Sequence, residues 1–155
     1  GGDVELELAH ESLITTWKQL ARWIEESREE IADLLQVIVG TLSTERWIPP
    51  LMIREVISET GRFRERFIRD FASQMVRIIP EMLGREQAAG RVRRDLDLRL
   101  SFASMVGMMA FPFAARPVLE RVLGLDYDAE DFVERFSEHT RRLFLEGALS
   151  REAET

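Results

Sequence analysis

Over residues 62–82, Phe63, Phe67, Phe71, Met75, Ile78 and Met82 recur at steps of four, four, four, three and four. That is the period of a helix with one apolar face. Arg62, Arg64, Glu65, Arg66, Arg69 and Asp70 fill the gaps and read as its solvated side. A stripe of this size must be covered, and Phe and Met are large and adaptable. It therefore suits either a plain core or the wall of a hydrophobic pocket. The residues of the stripe leave both readings open, and the neighbouring helices have to decide between them.

Upstream, Val4, Leu6 and Leu8 alternate with Glu5, Glu7 and Ala9, which predicts a short extended lead. Leu13, Trp17, Leu20 and Ile24 then come at helical spacing, widened by Trp23. The pattern resumes at Ile31, Leu34, Leu35, Ile38 and Leu42, as one long helix or as two with a break near Ser27. Gly40 and Ser43-Thr44 mark a stop. A second element, carrying Trp47, Leu51, Ile53, Val56 and Ile57, has Pro49-Pro50 in or just before its first turn, where missing amide protons matter least. Gly61 ends it. Pro80 falls inside the apolar period of the next helix and predicts a kink or a new start.

Asp95 or Asp97 is placed to cap a helix whose apolar residues, from Leu96 to Phe111, point in most directions. Ser101, Ala103, Ser104, Gly107 and Ala110 are small and lie among them. Such a helix needs cover on more than one face. Pro112 and Pro117 interrupt the chain beyond it, and Val118, Leu119 and Val122 make a short helix closed by Gly124. Asp126 or Asp128 then caps a last helix with Phe132, Val133, Phe136, Thr140, Leu143, Phe144 and Leu149. The tail, residues 150–155, is polar and expected to fray. The class is all-α, with five to seven helices.

The 155 residues suit one domain, and 45% hydrophobic with 32% charged is a globular helical composition. A net charge of −7 argues against a free-standing nucleic-acid binder. Without cysteine there is no disulfide or thiolate chemistry. The longest apolar run, residues 105–115, is too short to span a bilayer, and no signal peptide is expected.

No constellation for catalysis is apparent, so an enzyme is not expected. His10-Glu11 opens like a zinc-protease motif but lacks the second histidine, and His139 reads as a surface or interface residue. No glycine-rich phosphate loop is present. Glu25-Glu26 and Glu29-Glu30 read as a solvated face rather than a cation site. Arg91, Arg93 and Arg94, beside Asp95 and Asp97, read as salt-bridged loop capping rather than an anion site. No metal and no cofactor are expected.

From about residue 29 to 149 the chain resembles the C-terminal domain of TetR-family transcriptional regulators. The resemblance rests on Leu51-Met52-Ile53-Arg54-Glu55, the Phe63 helix, Gly90-Arg91-Val92-Arg93-Arg94-Asp95-Leu96-Asp97, residues 101–107 and Met108-Met109-Ala110-Phe111-Pro112-Phe113, in that order. It implies a cytoplasmic, all-helical bundle that dimerises through its last two long helices, here about 96–111 and 128–148. It also implies a largely apolar effector pocket among the middle helices. The residues it points to for the dimer are Ser101, Ser104, Gly107 and Phe111 on the first helix, and Phe132, Phe136, Thr140 and Phe144 on the second. For the pocket they are Ile38, Trp47, Met52, Phe63, Phe67, Phe71, Met75, Met105, Met108 and Met109, each with core packing as the alternative. The expected partners are a second copy and a small hydrophobic effector, with no membrane.

The resemblance would place a helix-turn-helix before this domain, and residues 1–30 hold no recognition helix, so DNA is expected only for an intact parent that carries one. Instead, Ala9, His10, Glu11, Leu13, Ile14, Trp17, Leu20, Trp23 and Ile24 resemble the segment just after the nucleotide-binding domain of STAND-type NTPases. That segment carries no phosphate-binding motif. The division expected is 1–30 as the upstream piece, 31–149 as the effector and dimerisation domain, and 150–155 as tail. The competing reading is an engineered or fused helical scaffold that binds no ligand.

Overall fold

The computed structural model describes residues 2–26 and 31–148. The first helix, α1 (Gly2–Glu26), corrects the extended lead. Alternation over six residues is a short signal, and apart from Val4 the Glu, Leu and Ala that carry it are good helix formers. Val4 and Leu8 are exposed, while His10, Leu13, Ile14, Trp17, Leu20, Ala21 and Ile24 form the buried stripe. The expected break near Ser27 lies outside the described residues. On the far side, α2 (Ile31–Thr44) runs back along α1, because Thr16, Gln19 and Trp23 share a groove with Glu45, Thr41 and Val37. Gly40 does not stop α2, which is long enough to tolerate one glycine beside the Val133 side chain.

The chain then turns through α3 (Ile48–Met52), with its two prolines at the start as expected. α3 runs directly into a π-helical turn, Ile53–Ile57, which ends when Ser58 adopts an extended backbone. The loop after Ser58 folds tightly over this turn. Phe63 N–H donates to the Glu55 carbonyl at 2.9 Å, and Arg64 donates to the carbonyls of Val56, Ile57 and Ser58. Gly61 sits so close that a Cβ there would lie 2.5 Å from the Glu55 carbonyl oxygen.

The Phe63 stripe is helical as expected, with a second π-helical turn inside it. α4 (Arg64–Phe67) leads into π-helical residues Ile68–Ala72 and then α5 (Ser73–Ala88). The repeated step of four has a physical reading here. In an α-helix each such step drifts by about 40°, and a wider π turn takes up that drift. Pro80 neither ends nor restarts α5, which continues eight residues beyond it.

α6 (Leu98–Ala114) starts on Asp97, whose carboxylate accepts from the amides of Arg99 at 2.8 Å and Leu100 at 3.3 Å. α6 also runs through Pro112, where the sequence predicts a break. The Tyr127 hydroxyl donates to the Pro112 carbonyl at 2.7 Å and so satisfies one of the last carbonyls of the helix. α7 (Arg116–Leu123) turns off at 78° and closes on Gly124, whose φ of 65° is left-handed. α8 (Phe132–Ala148) starts later than expected. Asp126 instead accepts from the Asp128 amide within the preceding turn, so neither residue caps the helix. Leu149 and the tail lie outside the described residues.

α2 is the central element, packed against α8, α6 and α1, while α5 lies against α6. The main core joins Leu34, Leu35, Val39, Ile79, Leu83, Met105 and Met109 with residues from α1 and α8. A second, smaller core joins Leu13, Ile14 and Trp17 of α1 to Ile48, Leu51 and Val56. No single helix among the described residues is long and apolar enough to cross a membrane.

Candidate functional site

The pocket candidates divide between the two cores. Met75, Met105 and Met109 are buried in the main core, with Ile38 and Met108 packed half-buried against it. Trp47, Met52, Phe63 and Phe67 surround the smaller core, all half-buried, and Phe71 touches both. Phe71, packed against both clusters, is the candidate that links the two groups. Trp17 and Phe67 meet edge-on at 4.9 Å, and Phe67 and Phe71 lie 5.3 Å apart. Trp47 lines a groove between α1 and the α2–α3 corner, beside Leu8, Ser12 and Thr16.

At the edge of the smaller core lies a buried polar pair. His10 of α1 and Glu55 of the first π-turn are each 6% exposed. His10 Nε2 is 3.5 Å from Glu55 Oε2 and has no hydrogen-bond partner. The Glu55 Oε1 accepts from Arg54 Nε at 2.9 Å, and Arg62 Nε lies 3.8 Å from Oε2. The Phe63 ring covers the imidazole at a centroid distance of 3.7 Å. Sequence reasoning weighs His10 as a zinc ligand and counts it in the STAND-like segment, and it quotes Glu55 within a resembling stretch, but it gives neither a place in the site. Both carry a signal it does not use. Each is polar yet in phase with an apolar stripe, His10 with Leu13 and Trp17, and Glu55 with Leu51. Among the described residues no group of His, Cys, Asp and Glu is arranged to hold a metal ion.

The dimer candidates separate by face. On α6, Met105, Met109 and Phe113 point inward, while Ser104, Gly107 and Phe111 point out and Ser101 is half-buried. Leu100 and Val106 are also exposed on α6, as are Val118, Val122 and Leu123 on α7. Phe111 is 62% and Val122 72% exposed. On α8 the expectation needs correcting. Phe132, Thr140 and Phe144 are buried and Phe136 is half-buried against their own subunit. Phe132, Phe136, Phe113 and Tyr127 form one aromatic cluster. The sequence shows that α8 has an apolar face but not that α2 takes it. The face of α8 left outward is mostly charged, with Arg135, Glu138, His139 and Arg142 around Leu143.

Polar links brace the corner between these regions. Arg116 pairs with Glu120 at 2.7 Å and Asp128 at 3.2 Å, and its guanidinium lies 4.9 Å above the Tyr127 ring. Arg46, next to Trp47, also pairs with Asp128. Burial pushes the Tyr127 hydroxyl above its ordinary value despite the cation beside it, so it stays a donor to Pro112. The arginine loop is salt-bridged as expected. Arg91 meets Glu86 at 2.6 Å, Arg93 pairs with Asp95, and the Arg91 hydrogen bond holds the Glu86 carboxyl below the usual range.

Comparison with known proteins bears on this arrangement. The family model described as "Tetracyclin repressor-like, C-terminal domain" matches residues 28–143. No curated protein matches the chain. Nothing in these comparisons supports the resemblance of residues 9–24 to STAND-type NTPases.

Proposed function

The chain belongs to the tetracyclin repressor-like C-terminal domain family, and from that premise we propose that it is the effector-binding and dimerising part of a transcriptional regulator. One observation carries the dimer: the outer face of α6. Leu100, Val106 and Phe111 are exposed there around the small residues Ala103, Ser104 and Gly107, and α7 also carries exposed Val118, Val122 and Leu123. Contiguous exposed apolar surface of this kind is what a partner covers. Small residues let two helices come close. A second copy brings the same face, and a two-fold axis lets the face pair with itself.

The effector is a small, largely apolar molecule held among Trp47, Met52, Phe63, Phe67 and Phe71, with Ile38, Met75, Met105, Met108 and Met109 behind them. These rings are half-buried rather than sealed, and they lie on helices interrupted by π-turns. An effector shifts the regulator between states only by binding one of them more tightly. DNA contact would come from a helix-turn-helix in the intact parent, and the setting is the cytoplasm, where such regulators act.

Light scattering coupled to size exclusion tests the dimer. The chain should run as a dimer, and Gly107→Leu and Phe111→Asp should run as monomers. A Cβ at Gly107 meets nothing within 4 Å in the subunit, so added bulk there acts only on a partner. A monomeric parent chain, or a dimer indifferent to both substitutions, contradicts the assignment. A thermal-shift screen of apolar compounds tests the effector site. Some compound should raise Tm, whereas a ligand-free scaffold gives no rise with any.

A further inference from the structure

The geometry points to His10 and Glu55 as the polar end of the effector site, reading a hydroxyl group on an otherwise apolar, planar effector. This rests on the effector-binding reading above and adds the chemical class of the ligand. It also brings α1, which lies outside the family match, into the site.

His10 Nε2 is a buried ring nitrogen without a hydrogen bond, facing Glu55 Oε2 at 3.5 Å beside the smaller core. Such an atom is rare in a folded protein and calls for an occupant. Its neighbours define which one. Glu55 Oε2, 3.5 Å away, is an acceptor, whereas Oε1 is taken by Arg54. An oxygen placed about 2.8 Å from both Nε2 and Oε2 closes the triangle. A hydroxyl there accepts from Nε2–H and donates to the carboxylate, so one atom satisfies both groups. A guest carboxylate would face Glu55. A guest ammonium would be a third cation on a carboxylate already served by Arg54 and Arg62. A ketone could only accept and would make no hydrogen bond to Oε2. The Phe63 ring, 3.7 Å from the imidazole, and the half-buried Phe67 and Met52 give the apolar body of the guest a flat surface to lie on.

The test is equilibrium dialysis of the full chain with 2-naphthol and its near-isostere 2-methylnaphthalene. The methyl compound is the more apolar, so burial alone favours it. The expected result is the reverse, with 2-naphthol bound about tenfold more tightly, as one hydrogen bond to a charged group allows. His10→Leu should bring the ratio to one or below. His10→Gln, whose amide nitrogen can stand near the ring Nε2 position, should keep most of the preference, which a merely structural histidine would not. Glu55→Gln should lower the ratio several-fold and carries the test if His10→Leu fails to fold by circular dichroism. Equal affinities in the parent chain overturn the inference and leave the effector-binding reading standing. A preference that survives both His10→Leu and Glu55→Gln puts the hydroxyl elsewhere and also overturns it. Binding of neither compound overturns the inference, and the effector-binding reading is then decided by the thermal-shift screen, which fails only when no apolar compound raises Tm.

Discussion

The two cores of this molecule are built differently. The main core is closed: Leu34, Leu35, Val39, Ile79, Leu83, Met105 and Met109 are almost without exposure, and five long helices, α1, α2, α5, α6 and α8, contribute to it. The smaller core is open at its edges. Leu13, Trp17 and Val56 are covered, but Trp47, Met52, Phe63 and Phe67 are only half-covered, and a buried His–Glu pair replaces apolar contact on one side. Its helices differ too. α3 and α4 begin without a side-chain cap and run straight into π-turns, whereas α6 begins on a carboxylate cap. Regular, capped, tightly packed helices resist rearrangement, while short uncapped turns around flat, half-exposed rings accept it. The contrast assigns stability to one region and adaptation to the other.

The largest effects should come from the closed core. Leu34→Ala and Met105→Ala each leave a cavity that α2 and α6 cannot collapse around. Each should cost roughly 2–5 kcal/mol in denaturant unfolding. Phe67→Ala removes a larger side chain from a half-exposed site, so its cost should stay below theirs, at roughly 1–2 kcal/mol, while apolar ligands lose affinity. A Phe67→Ala loss equal to that of Met105→Ala would erase the contrast. Gly61→Ala should fall between them, at roughly 1–3 kcal/mol, the usual range for overpacking. Its Cβ meets the backbone of Glu55, which cannot swing aside as a side-chain tip can. Hydrogen exchange should place the added mobility of Gly61→Ala in the 53–63 segment, with the amides of α2 and α6 unaffected.

The same difference governs how far the sequence discloses each region. α2, α5 and α6 announce themselves through long apolar periodicity, and Asp97 stands where a cap has to stand. The break expected at Pro112 does not occur, since α6 runs on to Ala114, and α5 neither ends nor restarts at Pro80. The Tyr127 hydroxyl, fifteen residues away, satisfies the Pro112 carbonyl in the last turn of α6, whereas the carbonyl that Pro112 itself deprives of an amide is that of Met108. The faces of α8 are also misread from sequence. Periodicity shows that Phe132, Thr140 and Phe144 share a side, but only the course of α2 determines what that side meets. The aromatic candidates are legible as a stripe, while the π-turns that tilt them are visible only as an unexplained run of steps of four. The His10–Glu55 pair joins residues forty-five positions apart, and no local pattern announces it.

The smallest effect is expected at the start of α6, where the contrast in capping can be probed without disturbing either core. The amides of Arg99 and Leu100 hold the Asp97 carboxyl below the ordinary aspartate range, aided by the Arg99 side chain. A lowered carboxyl pKa contributes stability that is complete above the unfolded value, near pH 4, and is lost as pH falls through the folded one. Between about pH 7 and pH 5 the cap is therefore constant. Below about pH 4 the first turn of α6 should loosen, and Asp97→Ala should show the same loosening at neutral pH. The readout is faster hydrogen exchange at Arg99 and Leu100, with Tm lowered by only a few degrees, because the solvent-exposed carboxylate of Asp97 competes with water for its contacts. α3 and α4 have no carboxylate cap to lose, so their first turns should not follow this titration. Matching acid sensitivity in both regions would mean that capping is not what separates the rigid part of the molecule from the adaptable one.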